Sequence, residues 1–100
     1  MPAHFINIDV DPITGSFTYT PSSLRAAPSD TIVWQSPKAI ALMFLDGTPI
    51  AHMEVFAYAS MPTPAFTVIS GAEGHFHYAV AAWDGIRVYI DSGCPDIIVN

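Results

Sequence analysis

Turn signals punctuate this chain densely. Asp11-Pro12, Gly15, Pro21, Pro28-Ser29-Asp30, Asp46-Gly47, Pro62-Thr63-Pro64, Gly71, Gly74, Asp84-Gly85 and Gly93-Cys94-Pro95 follow one another along 100 residues. Between them lie short apolar runs that alternate with polar residues, and no window keeps a 3.6-residue period over three turns. Turns at roughly 8–12-residue spacing around alternating runs are the pattern of a β-sandwich or barrel. The chain reads as all-β.

The strands can be placed from the alternation, because successive side chains point to opposite faces. Phe5 to Val10 puts Ile6, Ile8 and Val10 on one face, with Asn7 and Asp9 on the other. Phe17 and Tyr19 line the inward side of a second run that ends at Pro21, and Leu24 with Ala26 continue a short edge segment. Thr31 to Gln35 carries Ile32 and Trp34 together. Ile40 to Leu45 is apolar without a break, which predicts a strand covered on both faces. Residues 50–58 suit a strand or a short helix, and Ala65 to Ile69 resumes as a strand. His75–Trp83 and Ile86–Ile90 form a hairpin through Asp84-Gly85, read as a two-residue I′ turn because both residues accept positive φ. Ile97-Ile98-Val99 closes the chain.

Without an internal repeat, linker or low-complexity tract, residues 1–100 are expected to be one domain. The apolar fraction is 51% and the charged fraction only 12%, the opposite of a disordered chain. So little charge also leaves edge strands nearly undefended, with Lys38 the sole lysine. The formal net charge is −6, and Arg25, Lys38 and Arg87 are scattered. A phosphate backbone needs clustered cations, so no nucleic acid and no membrane surface is expected as a partner. No run approaches the ~18 apolar residues of a membrane helix, and the first ten residues lack a signal peptide's basic and apolar regions. The expectation is a cytoplasmic protein. With Cys94 as the single cysteine, packing alone must hold the fold.

Several of these segments, in this order, resemble the cupredoxins. Tyr19-Thr20-Pro21 through Asp30-Thr31-Ile32-Val33-Trp34 is similar to the family's Pro-containing run that leads through a Pro-Gly-Asp-like turn into a Val-x-Trp strand. Ser29 stands at the usual glycine. Gly74-His75-Phe76-His77-Tyr78-Ala79-Val80 looks like the family's Gly-x-Tyr-x-Tyr-x-Val strand, and Ile97-Ile98-Val99 like its closing strand. The likeness covers about two-thirds of the chain and implies a Greek-key sandwich of seven to eight strands. The family's copper ligands have no counterpart. Ile40–Leu45 and the residues just before it hold no histidine, and Val80-Ala81-Ala82-Trp83-Asp84-Gly85 offers no Cys, His or Met. A blue-copper site needs two imidazoles and a thiolate converging on one ion, so the resemblance implies the fold without the copper and no cofactor.

The remaining candidates are few. His75 and His77 share one face of a strand about 6.5–7 Å apart, close enough to share a divalent ion. A third ligand would have to come from His4, His52 or Glu73. The plainer reading is a pair of solvent-side histidines, with metal binding or sensing as the alternative. Cys94 lies between Asp91 and Asp96, whose charges oppose thiolate formation. It reads as a structural thiol. The acids fall mostly in turns, and the motifs of hydrolases, zinc proteases and phosphate-binding loops are lacking, so an enzyme is not expected. Trp34, Trp83, Tyr58, Met43, Met53 and Met61 could line an apolar ligand pocket; the plainer reading of all but Trp83 is core. Trp83 shares the histidine face beside the hairpin turn and reads as an exposed interface aromatic. The function expected is a non-catalytic, metal-free module that binds a protein partner or a second copy of itself.

Overall fold

The computed structural model describes residues 2–91 and 95–100. Cys94 lies outside the described residues. Ten strands are described: β1 (Ala3–Val10), β2 (Phe17–Thr20), β3 (Ser23–Ala26), β4 (Thr31–Gln35), β5 (Ala39–Phe44), β6 (Glu54–Ala57), β7 (Phe66–Thr67), β8 (Gly74–Trp83), β9 (Val88–Asp91) and β10 (Asp96–Val99). The count exceeds the seven to eight that the resemblance implies, and β7 is only two residues long. Residues 54–57 settle as strand, not helix.

The strands make two sheets, in the orders β2-β1-β4-β7 and β3-β10-β8-β5-β6. The pairs β1–β4 and β10–β3 are parallel, and the other pairs are antiparallel. The ten-residue β8 organises the second sheet. One of its edges runs along β5, while the other pairs with β10 at residues 74–77 and with β9 at residues 80–83.

The inner faces meet in one core. The first sheet contributes Ile6, Ile8, Ile32 and Trp34; the second contributes Leu42, Phe44, Tyr78, Val80, Ile97 and Val99, all nearly inaccessible. Trp34 is the hub, with its ring centroid 6.3 Å from Phe44, 6.1 Å from Tyr78 and 6.0 Å from Phe66, each edge-to-face. Such pairs add about 0.5–1.5 kcal/mol beyond the area they bury. Burial pushes the Tyr78 hydroxyl up to about 12, against a smaller downward pull from the Trp34 indole. That contact is too poor to satisfy the indole Nε1, which is buried without a well-formed hydrogen bond.

Three expectations change. The chain from Ile40 to Leu45 is covered on one face only: Ile40, Leu42 and Phe44 are buried, while Met43 and Leu45 are exposed. The strand expected over residues 65–69 shrinks to Phe66–Thr67, the stretch that pairs with β4. The hairpin pairs Trp83 with Val88, so its tip is Gly85-Ile86 instead of Asp84-Gly85. Asp84 sits at the first turn position because its Oδ1 accepts from the backbone N–H of Ile86 at 2.9 Å and of Arg87 at 2.8 Å. These bonds hold its carboxyl below the usual range, Arg87 contributing most. Only Gly85, at φ +95°, is left-handed in the turn, which fits a glycine-first II′ pattern. Ser29, at the family's glycine position, has φ +78°, the region glycine occupies at no steric cost.

Candidate functional site

The outer faces of the sandwich differ, and the candidate site follows from the second sheet. Tyr78, Val80 and Ala82 turn inward from β8, so His75, His77, Ala79, Ala81 and Trp83 project outward. The ladder registers then build rows across the sheet. One row is Phe56, Ala41, Ala81 and Ile90, on β6, β5, β8 and β9 in turn; its neighbours are Ala39, Trp83 and Val88 on one side and Glu54, Met43 and Ala79 on the other. The middle two strands thus offer an alanine floor, and the outer two offer ridges.

Those ridges are bare. On them Phe56 is 72% exposed, Tyr58 80%, Ile90 76% and Val88 64%, while Trp83 at 55% and Met43 at 49% rise from the middle strands at the two ends of the floor. Two depressions of about 330 and 290 Å³ lie along the floor and share Ala41, Phe56 and Ala81 in their walls. Glu54, at one end, is the only charged residue lining either. Asp84 keeps the Trp83–Val88 end in shape from the turn, where its Oδ2 also accepts the Tyr89 hydroxyl at 3.1 Å.

The N-terminal part of β8 carries the polar part of the same face. His75 Nδ1 lies 3.4 Å and His77 Nε2 4.0 Å from Asp96 Oδ2. Asp96 opens β10 directly across the ladder from His77. Neither His4 nor His52 joins them. His4, on the first sheet, bonds to Asp30 through Nε2 at 2.8 Å. The His52 ring packs edge-on against Phe66, 5.1 Å between centroids. Glu73 is exposed on the turn that precedes β8. Among the described residues, no group of three or more His, Cys, Asp or Glu side chains has the arrangement of a metal site.

Trp83 belongs to the apolar face. Trp34, by contrast, is core, while Met43, Met53, Met61 and Tyr58 are exposed, against the expectation of burial. The face was missed in the sequence because its signal is spread over four strands. Ala39 with Ala41, Ala79 with Ala81, Phe56 with Tyr58, and Val88 with Ile90 are i, i+2 pairs that all turn out to point the same way.

Solved structures with this arrangement can be compared directly. A proline-to-glycine variant of amicyanin, in its reduced Cu(I) form at pH 4, superposes with a TM-score of 0.54 at 13% identity, covering 95% of this chain and 81% of that one. A purple cupredoxin from Nitrosopumilus maritimus gives 0.54 at 17% identity, covering 97% and 99%. The fold is that of the cupredoxins. No family model matches the sequence, and neither does any curated protein.

Within that fold, Val80 and Ala82 of the stretch following Tyr78 are core residues of a regular strand. The segment from Val80 onward continues as hairpin through Asp84 to β9. Lys38, in the turn before β5, lies close enough to Asp84 to help hold its carboxyl low.

Proposed function

We propose that this chain is a cupredoxin-fold binding module that works by apolar surface contact, without metal and without catalysis, and that its partner is a protein. The observation that carries the reading is the outer face of β6, β5, β8 and β9. Exposed apolar residues scattered singly are ordinary, but a contiguous patch of several hundred Å² marks an interaction site. Aromatic anchors beside small residues are the composition of an interface centre, where charge is scarce.

The metal-free reading is supported by the stretch that follows Tyr78, Val80-Ala81-Ala82-Trp83-Asp84-Gly85, which contains no Cys, His or Met. A second reading, metal binding by His75 and His77, is favoured by the carboxylate of Asp96 beside both rings. The same contacts serve equally as ion pairs of a protonated imidazole, and so this reading stands second.

Nile red, a neutral apolar dye, tests the leading reading at low protein concentration. The wild-type chain should enhance its fluorescence, and Ala81→Arg, which places a charge on the floor, should abolish the enhancement. No enhancement by the folded wild-type chain would overturn the apolar-contact reading. Added Cu(II) should produce no intense visible absorption; a band that vanishes in Cys94→Ser would overturn the metal-free part.

A further inference from the structure

The apolar face has a shape that narrows what can cover it. Its floor is two strands wide, and its ridges stand on β6 and β9, about 14 Å apart at ordinary strand spacing. A flat surface laid across the ridges would leave the alanine floor unfilled, and such gaps forfeit dispersion contacts. The occupant must therefore project a narrow apolar ridge. This chain carries one itself, Phe56 with Tyr58, beside its own trough.

We propose that the occupant is a second copy of the chain, packed face to face about a two-fold axis, with each copy's Phe56–Tyr58 ridge seated on the other's floor of Ala41 and Ala81. The inference rests on the reading of this face as the binding surface. A two-fold contact uses the same patch on both subunits, so ridge and trough on one face satisfy it at once. The area agrees. Scaled by the ~150–250 Å² of an aromatic side chain, the six large exposed residues of the face present on the order of 700 Å². Two such faces bury about 1,400 Å², within the ~1,200–2,000 Å² of stable specific interfaces.

Charge is compatible with the same occupant. The chain's formal −6 disfavours an anionic lipid surface, and no Lys or Arg lines the trough to hold one. The single acid there, Glu54, sits at the end of β6 opposite to Tyr58.

Sedimentation velocity of the full chain across the micromolar range tests the proposal. The wild-type chain should pass from monomer to dimer with rising concentration. Phe56→Ser and Ala81→Arg, each at an outward position, should raise the dissociation constant at least about thirtyfold. Thr18→Arg, on the exposed outer face of the first sheet, should leave it unchanged. Circular dichroism checks that each variant is folded.

A wild-type chain that stays monomeric throughout overturns the proposal, and so does a dimer that survives both face variants. In either case Nile red separates the two readings. Dye binding that depends on Phe56 would keep the binding face and assign it a different occupant, such as an apolar helix of another protein. Loss of both dimer and dye binding would remove the face as well.

Discussion

The two outer faces of this sandwich are built on the same inner core yet present opposite chemistry. On the first sheet, Asn7, Asp9, Thr18, Thr20 and Gln35 turn outward, and Gln35 donates to Asn7 across the parallel β1–β4 pair. Phe5 beside Val33 is the apolar exception. On the second sheet, the equivalent positions of β5, β6, β8 and β9 are apolar apart from Glu54 and the His75–His77 end of β8, with Asp96 of β10 and Ser23 and Arg25 of the edge strand β3 adding to the polar end. Folding requires only one apolar face per sheet. The second apolar face of the second sheet lies outside that core, and it is this face to which we assign binding.

The strongest way to break this contrast is to compare phenylalanines on neighbouring strands. Phe44→Ala, in the core, should cost about 3–5 kcal/mol in denaturant unfolding. Phe56→Ala, on the outer face, should stay within about 0.5 kcal/mol at concentrations where the chain is monomeric. Comparable losses would mean that the outer face is part of the folding core.

Acid should act through the first sheet. Asp30 is nearly inaccessible, and its carboxyl is held below the usual range chiefly by the His4 hydrogen bond and then by the Ala27 N–H at 3.0 Å. A depressed native value stabilises the fold above the unfolded pKa of about 3.9, and that stability is lost as pH falls through the native value. Unfolding midpoints should therefore drop on the acid side of about pH 4. Asp30→Asn should weaken the fold at neutral pH and flatten the acid limb. An unchanged limb would show that Asp30 does not couple folding to protons.

The smallest effect concerns the polar end of the second sheet. If His75 and His77 act only as ion-pair partners of Asp96, Zn²⁺ in excess should leave the melting temperature where it is. A rise that disappears in the His75→Ala, His77→Ala double variant would show preferential metal binding by the native state and move the metal reading into first place.

Much of the architecture was legible because alternation reports which residues share a face. Ile6, Ile8 and Val10, then Ile32 and Trp34, then Tyr78 and Val80 are buried as their spacing predicts. The β8 parity also placed His75, His77 and Trp83 together on the outside. The hairpin was legible in kind and wrong in register, because dipeptide preference sees the φ tolerance of Asp84 and Gly85 but not the carboxylate of Asp84 bonding two N–H groups ahead of it.

Most strands, most of their inward sides and most turns could be read from the residues, since these depend on local alternation and backbone preference. What covers each face came from the packing. An unbroken apolar run such as Ile40–Leu45 is the same string whether another layer packs on its far side or nothing does, because coverage depends on elements distant in the chain. The same reason explains Asp96. Its place opposite His77 comes from the antiparallel register of β10 with β8, a pairing set by the packing of the whole second sheet and not by any spacing within the sequence.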